Sequence, residues 1–122
     1  MALILHLLTA ADAAGTGPVY VPAAYAADGF VHCTDDDTTL LAVANAYYRD
    51  RSEPMVVWTI DTDQLDSEVR WEAPAPPDGS VPADTSVRFP HVYGPISRGA
   101  VIATRALRRD RDGGYVGYDE PS

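Results

Sequence analysis

Two short apolar runs constrain the fold of this chain more than any other feature. Leu3–Leu8 is apolar apart from a single histidine, and Met55–Ile60 is almost continuously apolar. Near-continuous apolar character is typical of a strand whose two faces are both buried. The two runs therefore predict two buried strands, and Met55–Ile60 is expected to be central in its sheet.

The segments between these runs predict further short elements. Thr9 is expected to cap a short helix, and a helical turn should end at Asp28-Gly29. Thr34 or Asp35 should cap the clearest helix, whose apolar stripe is formed by Leu40, Leu41, Val43, Ala44, Tyr47 and Tyr48. Other strands are expected at Phe30–Cys33, Val69–Glu72, Phe89–Tyr93, Gly99–Leu107 and Tyr115–Tyr118. This order predicts an α+β fold with a mostly antiparallel sheet and a few short helices.

The length of 122 residues predicts a single domain over residues 1–122. Residues 73–87 hold several prolines and are expected to form an irregular loop. Residues 108–122 are expected to form a polar C-terminal tail.

Charge and composition exclude several classes of function. The net charge of -9 disfavours nucleic acid and anionic membrane surfaces as partners. The chain has no lysine, which excludes Schiff-base chemistry and a P-loop nucleotide site. The single cysteine, with neither a signal peptide nor a membrane-spanning run, predicts a cytoplasmic protein. The sequence does not indicate an oligomeric state.

Three histidines are the best lead to a function. His6, His32 and His91 are each embedded in an apolar segment, and the chain has no other histidine. A buried imidazole must find hydrogen-bond partners or take part in chemistry. Each could be a satisfied core residue, but if the three meet in one cleft they predict a ligand-binding or catalytic site.

Strand alternation limits what these histidines can do. His6 should share a strand face with Ile4 and Leu8, and the adjacent His32 and Cys33 should point apart. A Cys-His nucleophile pair is therefore disfavoured, and Cys33 is expected to be a small buried hydrophobe. The wide sequence separation of the histidines does not favour a zinc site.

Two further segments have both a structural and a functional interpretation. In Arg70-Trp71-Glu72 the charged pair should share one face, either as a surface ion pair with a core tryptophan or at the rim of a cleft. The segment Phe89–Pro95 has two prolines and a glycine. It is either a structural corner or a rigid loop that presents His91 and Tyr93 on the same side.

Four segments together resemble the domain of unknown function 952 family. They are Gly29-Phe30-Val31-His32-Cys33-Thr34, Val43-Ala44-Asn45 with Tyr47-Tyr48, Val69-Arg70-Trp71-Glu72 and Phe89-Pro90-His91-Val92-Tyr93-Gly94-Pro95-Ile96. The resemblance runs in order over about residues 3–105. It implies a fold similar to ADP-ribosyltransferases, with a split sheet and a cleft that binds NAD.

The resemblance also implies roles for particular residues. His6 is similar in position to the early residue that holds the dinucleotide, and His32-Cys33-Thr34 is similar to the segment near the nicotinamide ribose. The transferases also use a glutamate in a late strand. The glutamates here are Glu53, Glu68, Glu72 and Glu120, none of them in that strand, so Glu72 is the substitute.

These observations lead to one expected function and one alternative. The expected function is binding of a nucleotide-type ligand, with NAD as substrate, and action on its glycosidic bond. His32, His91, Tyr93 and Glu72 are the candidate catalytic residues, and His6, Thr34 and Arg70 the candidate ligand-binding residues, with Arg70 on phosphate. No metal and no firm cofactor are implied. The alternative is a non-catalytic regulatory module that binds a small ligand or a peptide in the same cleft.

Overall fold

The computed structural model describes residues 2–74 and 88–119. The strands, in chain order, are β1 (Leu3–Thr9), β2 (Val19–Tyr20), β3 (Val31–His32), β4 (Met55–Asp61), β5 (Glu68–Glu72), β6 (Phe89–Tyr93), β7 (Ile96–Ser97), β8 (Val101–Arg109) and β9 (Tyr115–Tyr118). The α-helices are α1 (Ala10–Ala13), α2 (Tyr25–Asp28) and α3 (Asp37–Tyr47). Single 3₁₀ turns lie at Thr62–Gln64 and Arg98–Ala100. The proline-rich segment expected at 73–87 lies almost wholly outside the described residues.

The strands form two main antiparallel sheets and a small ribbon. One sheet has the order β1-β4-β8-β9, the second has the order β3-β6-β5, and β2 pairs with β7. The expected mixed fold, with mostly antiparallel sheets and a few short helices, is confirmed. Within the described part of the chain, no helix is both long and apolar enough to cross a bilayer.

The two main sheets meet at the bridge between Leu5 and Thr34. The Leu5 amide donates to the Thr34 carbonyl oxygen at 2.7 Å, and the Thr34 amide donates to the Leu5 carbonyl oxygen at 2.8 Å. This bridge brings the end of β3 against the middle of β1. It therefore brings the segments that contain His32 and His6 together.

Both faces of β1 and β4 are covered, which explains their continuous apolar runs. On one face, Ile4 and Trp58 belong to a core cluster that includes Val31, Cys33 and Val92. On the other face, Leu5 and Val57 belong to a second cluster; its further members are Leu40, Ala44, Met55, Leu107 and Tyr115. The prediction that Met55–Ile60 is central in its sheet is confirmed, because β4 lies between β1 and β8.

The helix boundaries agree with the sequence in two places and differ in one. Thr9 caps α1 by accepting the Asp12 amide, and Gly29 ends α2 with a left-handed φ of 80°. The predicted cap of α3 at Thr34 or Asp35 is wrong, because Asp36 accepts the Thr39 amide at 2.7 Å. The Leu5 bridge holds the backbone of Thr34 in the sheet, so the helix begins later.

The C-terminal segment adds an edge strand to the first sheet. Tyr115 of β9 is buried in the second core cluster. The side chain of Asn45 on α3 accepts the Tyr115 amide at 2.7 Å and donates to the Tyr115 carbonyl oxygen at 2.9 Å. The segment expected to be a polar tail thus contributes to the core under α3.

Candidate functional site

A cleft of about 730 Å³ lies over β1 and β3 and between α2 and α3. His6, His32 and His91 all line it. Its aromatic lining consists of Tyr20, Tyr25, Phe30, Tyr47, Tyr48 and Phe89. Three imidazoles from distant parts of the sequence therefore share one predominantly apolar cleft.

Strand pairing positions the three rings. His6 lies in the middle of β1 opposite Trp58 of β4, at the side of the first sheet that faces β3. His32 and His91 are direct cross-strand partners on β3 and β6, and their ring centroids are 5.8 Å apart. The alternation of these strands turns both rings to the same face.

His6 is a buried histidine that donates one hydrogen bond. It is 6% exposed, and its Nδ1 lies 2.8 Å from the carbonyl oxygen of His32. A carbonyl oxygen only accepts, so Nδ1 carries the proton in this bond. Burial lowers the pKa of His6 to about 4, which leaves the ring neutral and Nε2 unprotonated near neutral pH. Among the described residues, Nε2 has no hydrogen-bond partner.

His91 has the same protonation pattern. It is 2% exposed, and its Nδ1 donates to Glu72 Oε1 at 3.0 Å. Hydrogen bonds from Tyr93 and from His91 lower the pKa of the Glu72 carboxyl, which is therefore an ionised acceptor. Burial lowers the pKa of His91, so its Nε2 is also an unprotonated acceptor. No described residue pairs with that nitrogen.

His32 lies at the rim of the cleft. Its Nε2 donates to Asp28 Oδ2 at 2.9 Å, and both side chains are about one-third exposed. Asp28 is the last residue of α2, just before the left-handed turn at Gly29. That turn brings the carboxylate back over β3 and fixes the orientation of the His32 ring.

Phe30 was missed by the sequence analysis as a site residue. Its ring stacks on His91 with centroids 4.1 Å apart and an interplanar angle of 22°. It also lies 4.7 Å from the ring of His32. The signal was present in the alternation of the strand, because Phe30 and His32 are two residues apart and share a face.

Thr34 contributes a third unpaired polar atom. It lines the cleft and is buried, and its Oγ1 has no partner among the described residues. Buried polar atoms in folded proteins are nearly always hydrogen-bonded to protein, water or ligand. The Nε2 atoms of His6 and His91 and the Thr34 hydroxyl are therefore three buried polar atoms, two acceptors and one donor-acceptor, on residues that line the cleft.

Arg70, Glu72 and Tyr93 form a cluster beside the cleft, and the lining as described does not include them. The Arg70 guanidinium pairs with Glu68 at 3.0 Å and lies 4.4 Å from the centroid of the Tyr93 ring. The expected shared face of Arg70 and Glu72 is observed, since both contact Tyr93. The cluster contacts the cleft lining through the hydrogen bond between Glu72 and His91. The roles predicted for Arg70 in phosphate binding and for Glu72 and Tyr93 in catalysis stay predictions.

Trp71, between Arg70 and Glu72, is not a core residue. It is 48% exposed, so the interpretation of this segment as an ion pair above a core tryptophan is wrong. The strand β5 is the edge of its sheet, and only Val69 among its apolar residues packs against the core.

The charged residues of the cleft are few. Within residues 2–74 and 88–119, the charged side chains that line it are Asp12, Asp28 and Arg51. Arg51 pairs with Glu53 at 3.2 Å near the surface. Asp12 accepts from the Tyr20 hydroxyl at 3.2 Å, and burial raises the pKa of Tyr20 to about 12, so that hydroxyl keeps its proton.

Cys33 is buried against the core, as expected. It belongs to the first core cluster with Val31, and burial raises the pKa of its thiol. A protonated, buried thiol is a poor nucleophile. In the described residues, no group of three or more histidine, cysteine, aspartate or glutamate side chains is arranged to hold a metal ion.

Comparison with known proteins identifies the family but no activity. No curated protein matches the chain. The crystal structure of protein CC0527 from Caulobacter crescentus is 26% identical, with a TM-score of 0.72, and the match covers 93% of each chain. The solution NMR structure of the same protein is 27% identical, with a TM-score of 0.67, and the match covers 93% of this chain and 91% of that one. Residues 6–104 match the family described as protein of unknown function (DUF952), and the chain therefore belongs to the DUF952 family.

Proposed function

We propose that the cleft binds a small nucleotide-type ligand, with NAD as the first candidate, and that the protein hydrolyses its N-glycosidic bond. The observation that carries the proposal is the presence of three buried, unpartnered polar atoms on residues that line one cleft. Aromatic side chains around these atoms suit a flat base.

The protonation of the site suits this reaction. Nicotinamide leaves the ribose of NAD as a neutral molecule and takes the bonding electron pair with it, so its departure needs no general acid. Water then bonds to the ribose C1′ and must lose a proton. The unprotonated Nε2 of His91 is the candidate acceptor of that proton, because Glu72 holds the opposite nitrogen in its protonated state.

Glu72 has a positioning role in this proposal. Its carboxylate accepts from both His91 and Tyr93 and lies outside the described cleft lining. Asp28, which does line the cleft, provides a negative charge near the oxocarbenium-like transition state. We further propose that the two sheets, joined through the bridge of Leu5 and Thr34, correspond to the ADP-ribosyltransferase-like split.

One observation favours the alternative of a binding module without turnover. The glutamate expected to contact the ribose, Glu72, is engaged by His91 and Tyr93. In a module the same three unpartnered atoms would bind the ligand, and no water would be activated.

Ligand binding and turnover are tested separately. Calorimetry and NMR titration with NAD should give a dissociation constant in the millimolar range or below, and chromatography should detect released nicotinamide. Binding with no nicotinamide release would support the module. No binding of NAD, ADP-ribose or AMP at millimolar ligand would overturn the proposal.

The variant pair His91→Gln and His91→Leu tests the assigned base. Gln keeps an acceptor oxygen but does not take up a proton, so both variants should lose turnover while His91→Gln keeps more of the ligand affinity. Turnover that survives in His91→Leu would rule out His91 as the base.

A further inference from the structure

The hydrogen-bonding polarity of the cleft indicates which part of a ligand it recognises. Two of the three buried, unpartnered atoms on its lining residues, Nε2 of His6 and Nε2 of His91, are acceptors because the other nitrogen of each ring donates to an oxygen. Acceptors are satisfied by O–H and N–H groups, and they repel the oxygens of a phosphate.

The charges of the cleft lead to the same conclusion. Its described lining has two carboxylates, Asp12 and Asp28, against one guanidinium, Arg51. Arg51 is already paired with Glu53. The whole chain has a net charge of -9, so the approach of a pyrophosphate is further disfavoured.

The cation that was expected to bind phosphate lies elsewhere. Arg70 is about half exposed on β5, pairs with Glu68 and stacks on Tyr93. It is not part of the described cleft lining. The described lining therefore has aromatic rings and acceptor nitrogens, but its one guanidinium, Arg51, is already paired and does not balance the negative charge of a phosphate.

Resting on the proposed function, we infer that the cleft selects a riboside without phosphate: a nucleoside that displaces the side chains covering Nε2 of His6 and Nε2 of His91, so that its ribose hydroxyls or amide N–H groups donate to these two buried nitrogens. The aromatic residues of the lining, with Phe30 stacked on His91, flank the base. A nucleotide or dinucleotide binds through its nucleoside part, and its phosphates remain in solvent.

Four probes test the selection: adenosine, AMP, NAD and 2′,3′-dideoxyadenosine, each titrated by calorimetry into the whole protein. Adenosine should bind at least as tightly as AMP, with little change in affinity between low and high salt. Dideoxyadenosine should bind about tenfold or more weakly than adenosine, because two donors are lost. AMP or NAD binding about tenfold tighter than adenosine, with affinity that falls steeply with salt, would overturn the inference but leave the proposed function standing. If no probe binds, the proposed function fails, and this inference with it.

A matched pair of variants tests the acceptor role of His6. His6→Gln keeps one acceptor oxygen and one donor, whereas His6→Leu has a similar volume and neither. Adenosine affinity should fall about tenfold or more in His6→Leu and be largely restored in His6→Gln. Equal affinity in the two variants would contradict the inference.

A measurement on the unaltered protein covers the case in which His6→Leu does not fold. Nitrogen-15 NMR of histidine-labelled protein reports whether each ring nitrogen is protonated. Nε2 of His6 and of His91 should both be unprotonated in the free protein, and both signals should shift towards the hydrogen-bonded range when adenosine is added. A protonated Nε2 at either ring, or shifts confined to His32, would overturn the inference.

Discussion

The ring of His6 is joined to the backbone of His32 by one hydrogen bond of 2.8 Å, from Nδ1 to the carbonyl oxygen. This bond fixes the tautomer of a ring that is buried on β1, the strand of the first sheet that meets the second. It also couples β1 to β3 close to the bridge between Leu5 and Thr34. The same contact therefore joins the two sheets and makes Nε2 of His6 an acceptor.

Acid should destabilise the protein through His6. Folding lowers the pKa of His6 from its ordinary 6.5 to about 4, so between these values the unfolded chain binds more protons. The stability contributed by neutral His6 is complete above pH 6.5 and is lost as the pH falls towards 4. We expect a loss of about 3 kcal/mol in the free energy of unfolding. Urea denaturation of the wild type and of His6→Gln across this range measures it. If the free energy of unfolding falls by the same amount in both proteins as the pH is lowered, the prediction is contradicted.

Replacing Glu72 should change the titration of His91. The carboxylate of Glu72 raises the pKa of His91, against a larger lowering by burial. In Glu72→Gln the charge is gone, so the pKa of His91 should fall further below its ordinary value. Proton NMR of the imidazole Cε1–H signals across a pH series measures this. His6 is the internal control, because Glu72 is not among the groups that shift its pKa. A rise in the pKa of His91 would refute the assigned bond.

The hydroxyl of Thr34 should contribute nothing to the stability of the free protein. Its Oγ1 is buried and has no partner among the described residues, so Thr34→Val removes a desolvated polar group and keeps the shape. We expect the free energy of unfolding to stay the same or rise by about 1 kcal/mol. Thr62→Val is the matched control, because the Thr62 hydroxyl donates to the Ala2 carbonyl oxygen at 3.1 Å. A clear loss of stability in Thr34→Val would mean that the hydroxyl has a protein partner.

Gly94 should not tolerate a side chain. Its φ is 148°, and a Cβ added there would overlap the side chain of Ser67. We expect Gly94→Ala to lower the free energy of unfolding by about 1–3 kcal/mol, from backbone strain and from the overlap. The double variant with Ser67→Gly should recover the part due to overlap, as a double-mutant cycle measures. If the changes in the free energy of unfolding from the two substitutions simply add, the side chain of Ser67 does not obstruct a Cβ at position 94.

Much of the fold was predictable from the sequence because burial leaves a local pattern. Met55–Ile60 is apolar at nearly every position since the two core clusters lie on opposite faces of β4. The start of α3 was not predictable in the same way. Thr34, Asp35 and Asp36 are all good caps, and the choice depends on the long-range pairing of Thr34 with Leu5.

The candidate site was predictable in its residues more than in its contacts. The histidines stood out because each interrupts an apolar segment, and all three line the cleft. The pairing of His91 with Glu72 depends on the register of β5 against β6, which residue composition does not encode. Tyr47 belongs to the predicted apolar stripe of α3, and an amphipathic stripe does not show whether the core or a cleft lies against it.

Cys33 gives the molecule a chemical reporter in its interior. It is the one sulfhydryl in the chain, and it lies in the core next to His32, with Val31 packed beside it. Its side chain is 4% exposed, so a thiol-specific reagent can modify it only when the packing around β3 or the side chains that line the cleft move. The rate of that modification therefore reports how often this part of the protein opens, with no substitution and no added label.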